Sequence, residues 1–400
     1  MKREVVVTGV GIISAAGSSA AETWQALKAG KSGLSPFSLL PSARYAGIPV
    51  GQLPAELSSL SGLERASRPD HLAVIAARQA FKQSFPGAGL PQPEKTGVIL
   101  GACVGGMAES ELFLQRLLLE GVQDTGLLRF HECASSAEAV AGNLGLFGPC
   151  ETISTACSSG SNAICLAADM ILSDEADIMF AGGTDSLSRL TVNGFGSLLL
   201  IDPEGCRPFD EERKGMSLGE GAAVLVMESG ESAGRRNARV LARLSGWANT
   251  CDAYHATAPA PEGDGIQRAI RGALRNAGLS PEDIHYINAH GTATVENDRA
   301  EAAAIRSVFG EHTPPVSSTK RVFGHTFAAA GAIEAIVCIL AMENQAIPPN
   351  AGLHRPDPAC PVRIQRSLES ADIYRAMSLS LGFGGNNNCL ILESPGKNSE

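Results

Sequence analysis

Short runs rich in β-branched residues recur along the whole chain, and stretches with helical spacing lie between them. Val5–Thr8, Thr96–Leu100, Glu151–Ser154, Asp177–Ala181 and Ala222–Met227 read as strands. So do Val240–Leu244, Ile284–Asn288, Pro315–Ser318, Met377–Leu381 and Cys389–Leu392. Short apolar runs of this kind suit strands that are covered on both faces. Among the intervening stretches, Ile266, Ile270 and Leu274 recur every fourth residue ahead of Gly278. That spacing predicts one apolar helix face closed by a C-terminal glycine. Strand and helix in alternation point to an α/β architecture with largely buried sheet.

One segment of this pattern occurs twice. Glu151-Thr152-Ile153-Ser154-Thr155-Ala156-Cys157 runs from a strand into a small-residue helix through Ser161 and Ala167. Pro315-Val316-Ser317-Ser318-Thr319-Lys320 leads into Ala328-Ala329-Ala330-Gly331-Ala332 in the same way. The echo suggests two similar halves, residues 1–240 and 241–400, packed as one body because no low-complexity linker separates them. Glycine supplies 44 of the 400 residues, against a usual share of roughly 7%. So many small residues imply tight turns and close backbone packing.

Several classes are excluded. The chain is 44% hydrophobic and only 18% charged, which is too apolar for intrinsic disorder. A net charge of −10 leaves no general nucleic-acid footprint. The ten cysteines contain no C-x-x-C pair, so zinc spacing is missing and no metal site is expected. The N-terminus enters a strand-like run at once, without a signal-peptide pattern. The apolar run from Ala335 to Met342 falls well short of the ~20 residues that span a bilayer. A soluble, cytoplasmic protein with reduced cysteines is expected.

The chemistry concentrates in a few places. Cys157 lies between a strand and a helix, in Ser154-Thr155-Ala156-Cys157-Ser158-Ser159-Gly160. A thiol at a helix N-terminus is expected to ionise more easily, because the macrodipole and free N–H groups favour the thiolate. Asn288-Ala289-His290-Gly291-Thr292 and Gly324-His325-Thr326 both follow strands. This places His290 and His325 at carboxyl strand ends, where open α/β sheets bind ligands. A buried lysine needs a carboxylate. Lys320 is therefore expected to pair with Glu334, the acid on the following small-residue helix, and to order the histidine loop. Gly9-Val10-Gly11-Ile12-Ile13-Ser14 lacks the third glycine and the distal acid of a dinucleotide fingerprint, so no such cofactor is expected. Gly382-Phe383-Gly384-Gly385 places one bulky side chain among glycines, a loop suited to swing Phe383 or to present N–H groups to an oxyanion.

Together these motifs resemble the β-ketoacyl synthases, and more narrowly the elongating synthases of type II fatty acid and polyketide systems. Arg207-Pro208-Phe209-Asp210 and Asp252-Ala253-Tyr254-His255-Ala256-Thr257 fit the same pattern, and the likeness covers essentially the whole chain. It implies a thiolase-like fold, a duplicated five-layer α-β-α-β-α body, usually a homodimer. It also implies a decarboxylative Claisen condensation of malonyl-acyl-carrier protein with a cysteine-bound acyl group, without metal or organic cofactor. Under that resemblance Cys157 accepts the acyl group, and His290 and His325 assist decarboxylation and stabilise the enolate. Lys320 and Glu334 order the histidines. The N–H groups of Cys157 and Phe383 form the oxyanion hole, and Phe383 gates the site. Thr257, Thr292 and Thr294 line the malonyl and phosphopantetheine side, and Val104 borders the acyl pocket.

Two positions depart from the family. Leu381 stands where a phenylalanine is common, and Asn386 where a threonine is common. These changes point to altered gating and an unusual acyl chain, such as an unsaturated or aryl-polyene chain. The partner expected is an acidic acyl carrier protein, met by a basic patch for which Arg65, Arg68 and Arg207 are candidates. Alternatives are a non-catalytic chain-length partner in a heterodimer with a paralogue, or a different condensing enzyme of the thiolase superfamily.

Overall fold

The computed structural model describes residues 4–40, 44–54, 66–87 and 89–396. Ten strands form its main sheet: β1 Val5–Ser14, β2 Thr96–Gly101, β3 Cys150–Ile153, β4 Ile178–Asp185, β5 Gly221–Ser229, β6 Ala242–Cys251, β7 Tyr286–Asn288, β8 Val316–Ser317, β9 Arg375–Gly382 and β10 Asn386–Glu393. Each of the ten runs read as strands falls on one of them. Their order is β8-β7-β9-β10-β6-β1-β5-β4-β2-β3. From β1 outward the pairings are antiparallel to β5, antiparallel to β4, then parallel to β2 and β3. From β6 outward the same sequence of pairings runs through β10, β9, β7 and β8. The two five-strand units meet where Val6 pairs Arg243 and Val7 pairs Ala242.

Helices complete the layers. Arg68–Ser84 and Ser135–Leu144 cover the outer face of the first unit, and Asp264–Ala277 with Val295–Phe309 cover the outer face of the second. Ser159–Leu172 and Ala330–Asn344 lie between the units and touch each other. The body is therefore a five-layer α-β-α-β-α stack, with its largest apolar core around the central helix pair. The chemistry of each element follows its layer. Every residue of β4 and β5 is buried, as befits inner strands. β6 starts at Ala242 rather than Val240 and runs on to Cys251, with Arg243, Ser245 and Trp247 on a half-exposed face. Asp264–Ala277 buries Ile266, Ala269, Ile270, Ala273 and Leu274 on one side, and Gly278 ends it with φ 69°.

Ala330–Asn344 is apolar on all sides up to Met342 apart from Glu334, and Ala330 through Met342 are buried without interruption. Counted from Phe327 to Asn344, the helical stretch has a mean hydropathy of 1.6 and the 18 residues that could cross a bilayer. It is longer than its eight-residue apolar run suggests, but 89% of it is buried inside the protein, so its apolar surface is already covered.

Glycine sets how closely the central helices approach. A Cβ on Gly160 would lie 2.5 Å from the Ala328 carbonyl oxygen, and one on Gly331 would lie 2.9 Å from the Ser161 nitrogen. Each glycine is the second residue of its helix. A Gly160→Ala substitution should lower the melting temperature, because the clash is with backbone and overpacking costs about 1–3 kcal/mol. Gly142→Ala, at an exposed position of the Ser135–Leu144 helix with nothing within 4 Å of the new Cβ, should instead raise stability by about 0.5–1 kcal/mol. Thermal melts of both variants test this, and a Gly160→Ala protein at least as stable as wild type would contradict it.

Candidate active site

The Cys157 loop follows β3. Ala156 takes φ 54°, an uncommon conformation for a residue with a side chain, and this turns the chain sharply from strand to helix. Ser158 is the N-cap of Ser159–Leu172 but makes no side-chain cap; its Oγ donates to the Thr155 carbonyl at 2.8 Å instead. Cys157, the preceding residue, therefore stands at an uncapped helix start, with 7% of its surface exposed. The second unit repeats the turn. Phe327 has φ 50° and sits three residues before the Ala330–Asn344 helix, as Ala156 sits three before Ser159.

His290 follows β7 and His325 lies between β8 and the second turn; both are buried. Their rings are 5.3 Å apart and nearly perpendicular, at 86°. His325 also stacks on Phe327 at 5.8 Å. Lys320 is buried, donates to the His290 carbonyl at 2.8 Å and forms an ion pair with buried Glu334. The lysine thus ties the backbone of one histidine loop to the central helix.

Cys157, His290, His325, Thr257, Thr292, Thr294 and Phe383 all line one cavity of about 300 Å³. The Phe383 N–H favours the thiolate form of Cys157, and the Gly382 backbone packs against the Cys157 amide. The Phe383 ring is half-buried and stacks on Phe195 at 5.5 Å. Leu381, Phe195, Leu200 and Met216 supply the cavity's apolar wall. Lys320 and Glu334 sit behind this cavity rather than in its lining.

Burial dominates the electrostatics. It pushes the Cys157 thiol up to about 11, opposed by the Lys320 charge and the Phe383 N–H. Loss of water around the sulfur thus opposes the lowering that the strand–turn–helix pattern suggested. Burial, with the Lys320 charge, also holds both histidines well below the ordinary imidazole value, so both rings are neutral. Each Nδ1 is buried without a hydrogen-bond partner. Glu334 is raised by burial against the pull of Lys320.

Three sequence expectations need correction. Val104 is not among the residues that line this cavity; it packs against the cluster containing Met216 and Phe327. Arg68 is not a free surface cation, since it forks onto buried Glu220 at 2.6 and 2.9 Å. Arg207 is held between Glu204 and Glu212 and donates to the Glu212 carbonyl at 2.8 Å. Arg65 lies outside the described residues. The basic patch therefore has no support from these residues.

Other supports carried no sequence signal. Buried Glu301 accepts the N–H groups of His290 at 2.7 Å and Gly291 at 2.8 Å, and burial raises it to about 8. Asp298 accepts the Ala293 N–H at 3.1 Å where that residue turns to φ 71°, and Arg213 bridges Asp298 and Asp357. These acids sit on an ordinary amphipathic helix, Val295–Phe309, and only the tertiary structure aims them at the loop.

The family model described as the β-ketoacyl synthase N-terminal domain matches residues 2–233, and that described as the C-terminal domain matches 241–354. The 3-oxoacyl-[acyl-carrier-protein] synthase 2 of Coxiella burnetii is 36% identical, covering 98% of both chains. Among solved structures, the ishigamide ketosynthase/chain length factor is 35% identical with a TM-score of 0.93, covering 99% of this chain and 100% of that one. AntDE:AntF, a type II polyketide acyl-carrier protein in complex with its ketosynthase bound to the hexaketide, is 30% identical with a TM-score of 0.89, covering 99% of this chain and 100% of the other. With matched models over both halves, full-length relatives and the cysteine–histidine–histidine cavity in place, this chain belongs to the β-ketoacyl synthase family.

Proposed function

We propose that the protein catalyses decarboxylative condensation of malonyl-acyl-carrier protein with an acyl group carried on Cys157, yielding 3-oxoacyl-acyl-carrier protein. The convergence of Cys157, His290 and His325 on one cavity, beneath the Phe383 N–H, carries this reading. In the first half-reaction the sulfur attacks the thioester carbonyl, held by the N–H groups of Cys157 and Phe383. The acyl–sulfur bond to the carrier breaks, and the Cys157 proton leaves with the carrier thiol. In the second, malonyl loses CO₂ and its electron pair becomes an enolate, whose oxygen is stabilised by Nε2–H groups of neutral His290 and His325. The unpartnered Nδ1 atoms are why the protons are assigned to Nε2. The enolate carbon attacks the acyl-cysteine, the 3-oxoacyl product departs, and the Cys157 thiolate takes a proton from water.

Lys320 and Glu334 order the His290 loop, Thr257, Thr292 and Thr294 receive the malonyl and phosphopantetheine arm, and Phe383 gates the entrance. The halves divide near residue 240, with the nucleophile in the first and both histidines in the second. Leu381 beside Phe383 replaces an aromatic wall with a flexible aliphatic one, which suits an unsaturated or polyene acyl chain. A homodimer in the cytoplasm is the working assembly. The exposed Leu114, Leu118 and Leu119 on the Met107–Glu120 helix support a dimer face, and a paralogue as partner is the alternative that light scattering of the purified chain would reveal. A purely non-catalytic partner role is disfavoured by a complete nucleophile and two cavity histidines.

Intact-protein mass spectrometry with a panel of acyl-carrier proteins should show an acyl adduct on wild type and none on Cys157→Ala, with condensation abolished. Undiminished activity in that variant, or condensation of acetyl-CoA without a carrier, would overturn the assignment. A thiol raised to about 11 also sets a pH dependence. Only the thiolate reacts, so iodoacetamide alkylation of Cys157 should rise roughly tenfold per pH unit from about pH 7 to 10. A plateau below about pH 8.5 would mean that the helix start outweighs burial.

A further inference from the structure

A buried carboxylate behind the cavity takes no part in the chemistry above. Asp185, the last residue of β4, is fully buried. Its partners are backbone amides rather than cations. Oδ1 accepts the N–H of Val104 at 2.8 Å and of Cys103 at 3.2 Å, and Oδ2 accepts the N–H of Ala328 at 2.9 Å and of Cys103 at 3.3 Å.

The two oxygens lead to different parts of the site. On one side, the Cys103 thiol donates to the carbonyl of Ala156 at 3.1 Å, the left-handed residue just before the nucleophile. On the other, Ala328 directly follows left-handed Phe327, whose ring stacks on His325. Non-glycine residues in this conformation persist only where their surroundings hold them. One carboxylate is therefore linked to both turns, directly to the one before Ala328 and through Cys103 to the one at Ala156.

We propose that Asp185 is a positioning residue for the condensation, its two oxygens holding the nucleophile loop and the His325 loop in register across the boundary between the halves. This rests on the condensation reading. A carboxylate suits the task because both of its oxygens only accept, whereas an asparagine would set an NH₂ group against one of these amides. Register between the sulfur and the imidazoles matters when the enolate meets the acyl-cysteine. Its loss should therefore lower turnover and leave binding of the carrier-linked substrate intact.

Asp185→Asn and Asp185→Glu, assayed beside wild type with acyl- and malonyl-carrier protein, test this. Turnover by wild type checks the condensation reading separately. Asp185→Asn should lose at least about tenfold in kcat with KM within about twofold. Asp185→Glu keeps both acceptors but adds a methylene, and should melt cooperatively while losing about threefold or more in kcat. The proposal is overturned if either folded variant turns over within about twofold of wild type, or if KM alone rises. If Asp185→Asn does not melt cooperatively, Asp185→Glu decides. Failure of both to fold would assign Asp185 to folding alone and equally overturn the proposal.

Discussion

The close crossing of two small-residue helices holds this molecule together. Ser159–Leu172 and Ala330–Asn344 come from opposite halves and meet with no side chain at Gly160 or Gly331 to keep them apart. Their N-termini begin at matched left-handed turns, one carrying Cys157 and the other following His325. Any larger residue at the crossing would push the halves apart and open the distance between sulfur and imidazole. The same packing takes most water away from Cys157, His290 and His325, because the central layer is covered by sheet on both sides.

Exclusion of water then governs the chemistry. It raises the Cys157 thiol and lowers the His290 and His325 imidazoles, which favours the neutral form of all three. A neutral imidazole with its proton on Nε2 still offers one N–H to a developing enolate oxygen. Buried Lys320 does not line the cavity. It is neutralised by Glu334 and spends its hydrogen bond on the His290 carbonyl. A buried charge is tolerable here because it is paired and hydrogen-bonded, and it stiffens the loop that carries a reacting group.

Much of this was legible before any coordinates. All ten runs of the main sheet could be read from β-branched composition, because inner strands carry few polar residues to confuse the pattern. The reacting residues stood out because they interrupt small-residue loops at strand ends. The supports did not. Glu301 and Asp298 are acids at helical spacing and look like a solvated face until the helix is seen to turn them inward. Arg68 read as surface charge, yet Glu220 lies 152 positions away in sequence and captures it. Asp185 ends a strand, where no local rule separates a carboxylate that binds amides from one that faces water.

The sequence alone determined the α/β class and the strand positions and singled out Cys157, His290, His325 and the Lys320–Glu334 pair, since each depends on residue type and local spacing. Only the tertiary structure decided how strongly burial opposes ionisation of the thiol, where Val104 packs and what Arg68 and Arg207 pair with. It also decided which acids brace the loops. These depend on how much water remains around a group and on neighbours brought together across the two halves. Neither quantity is written in any short stretch of chain.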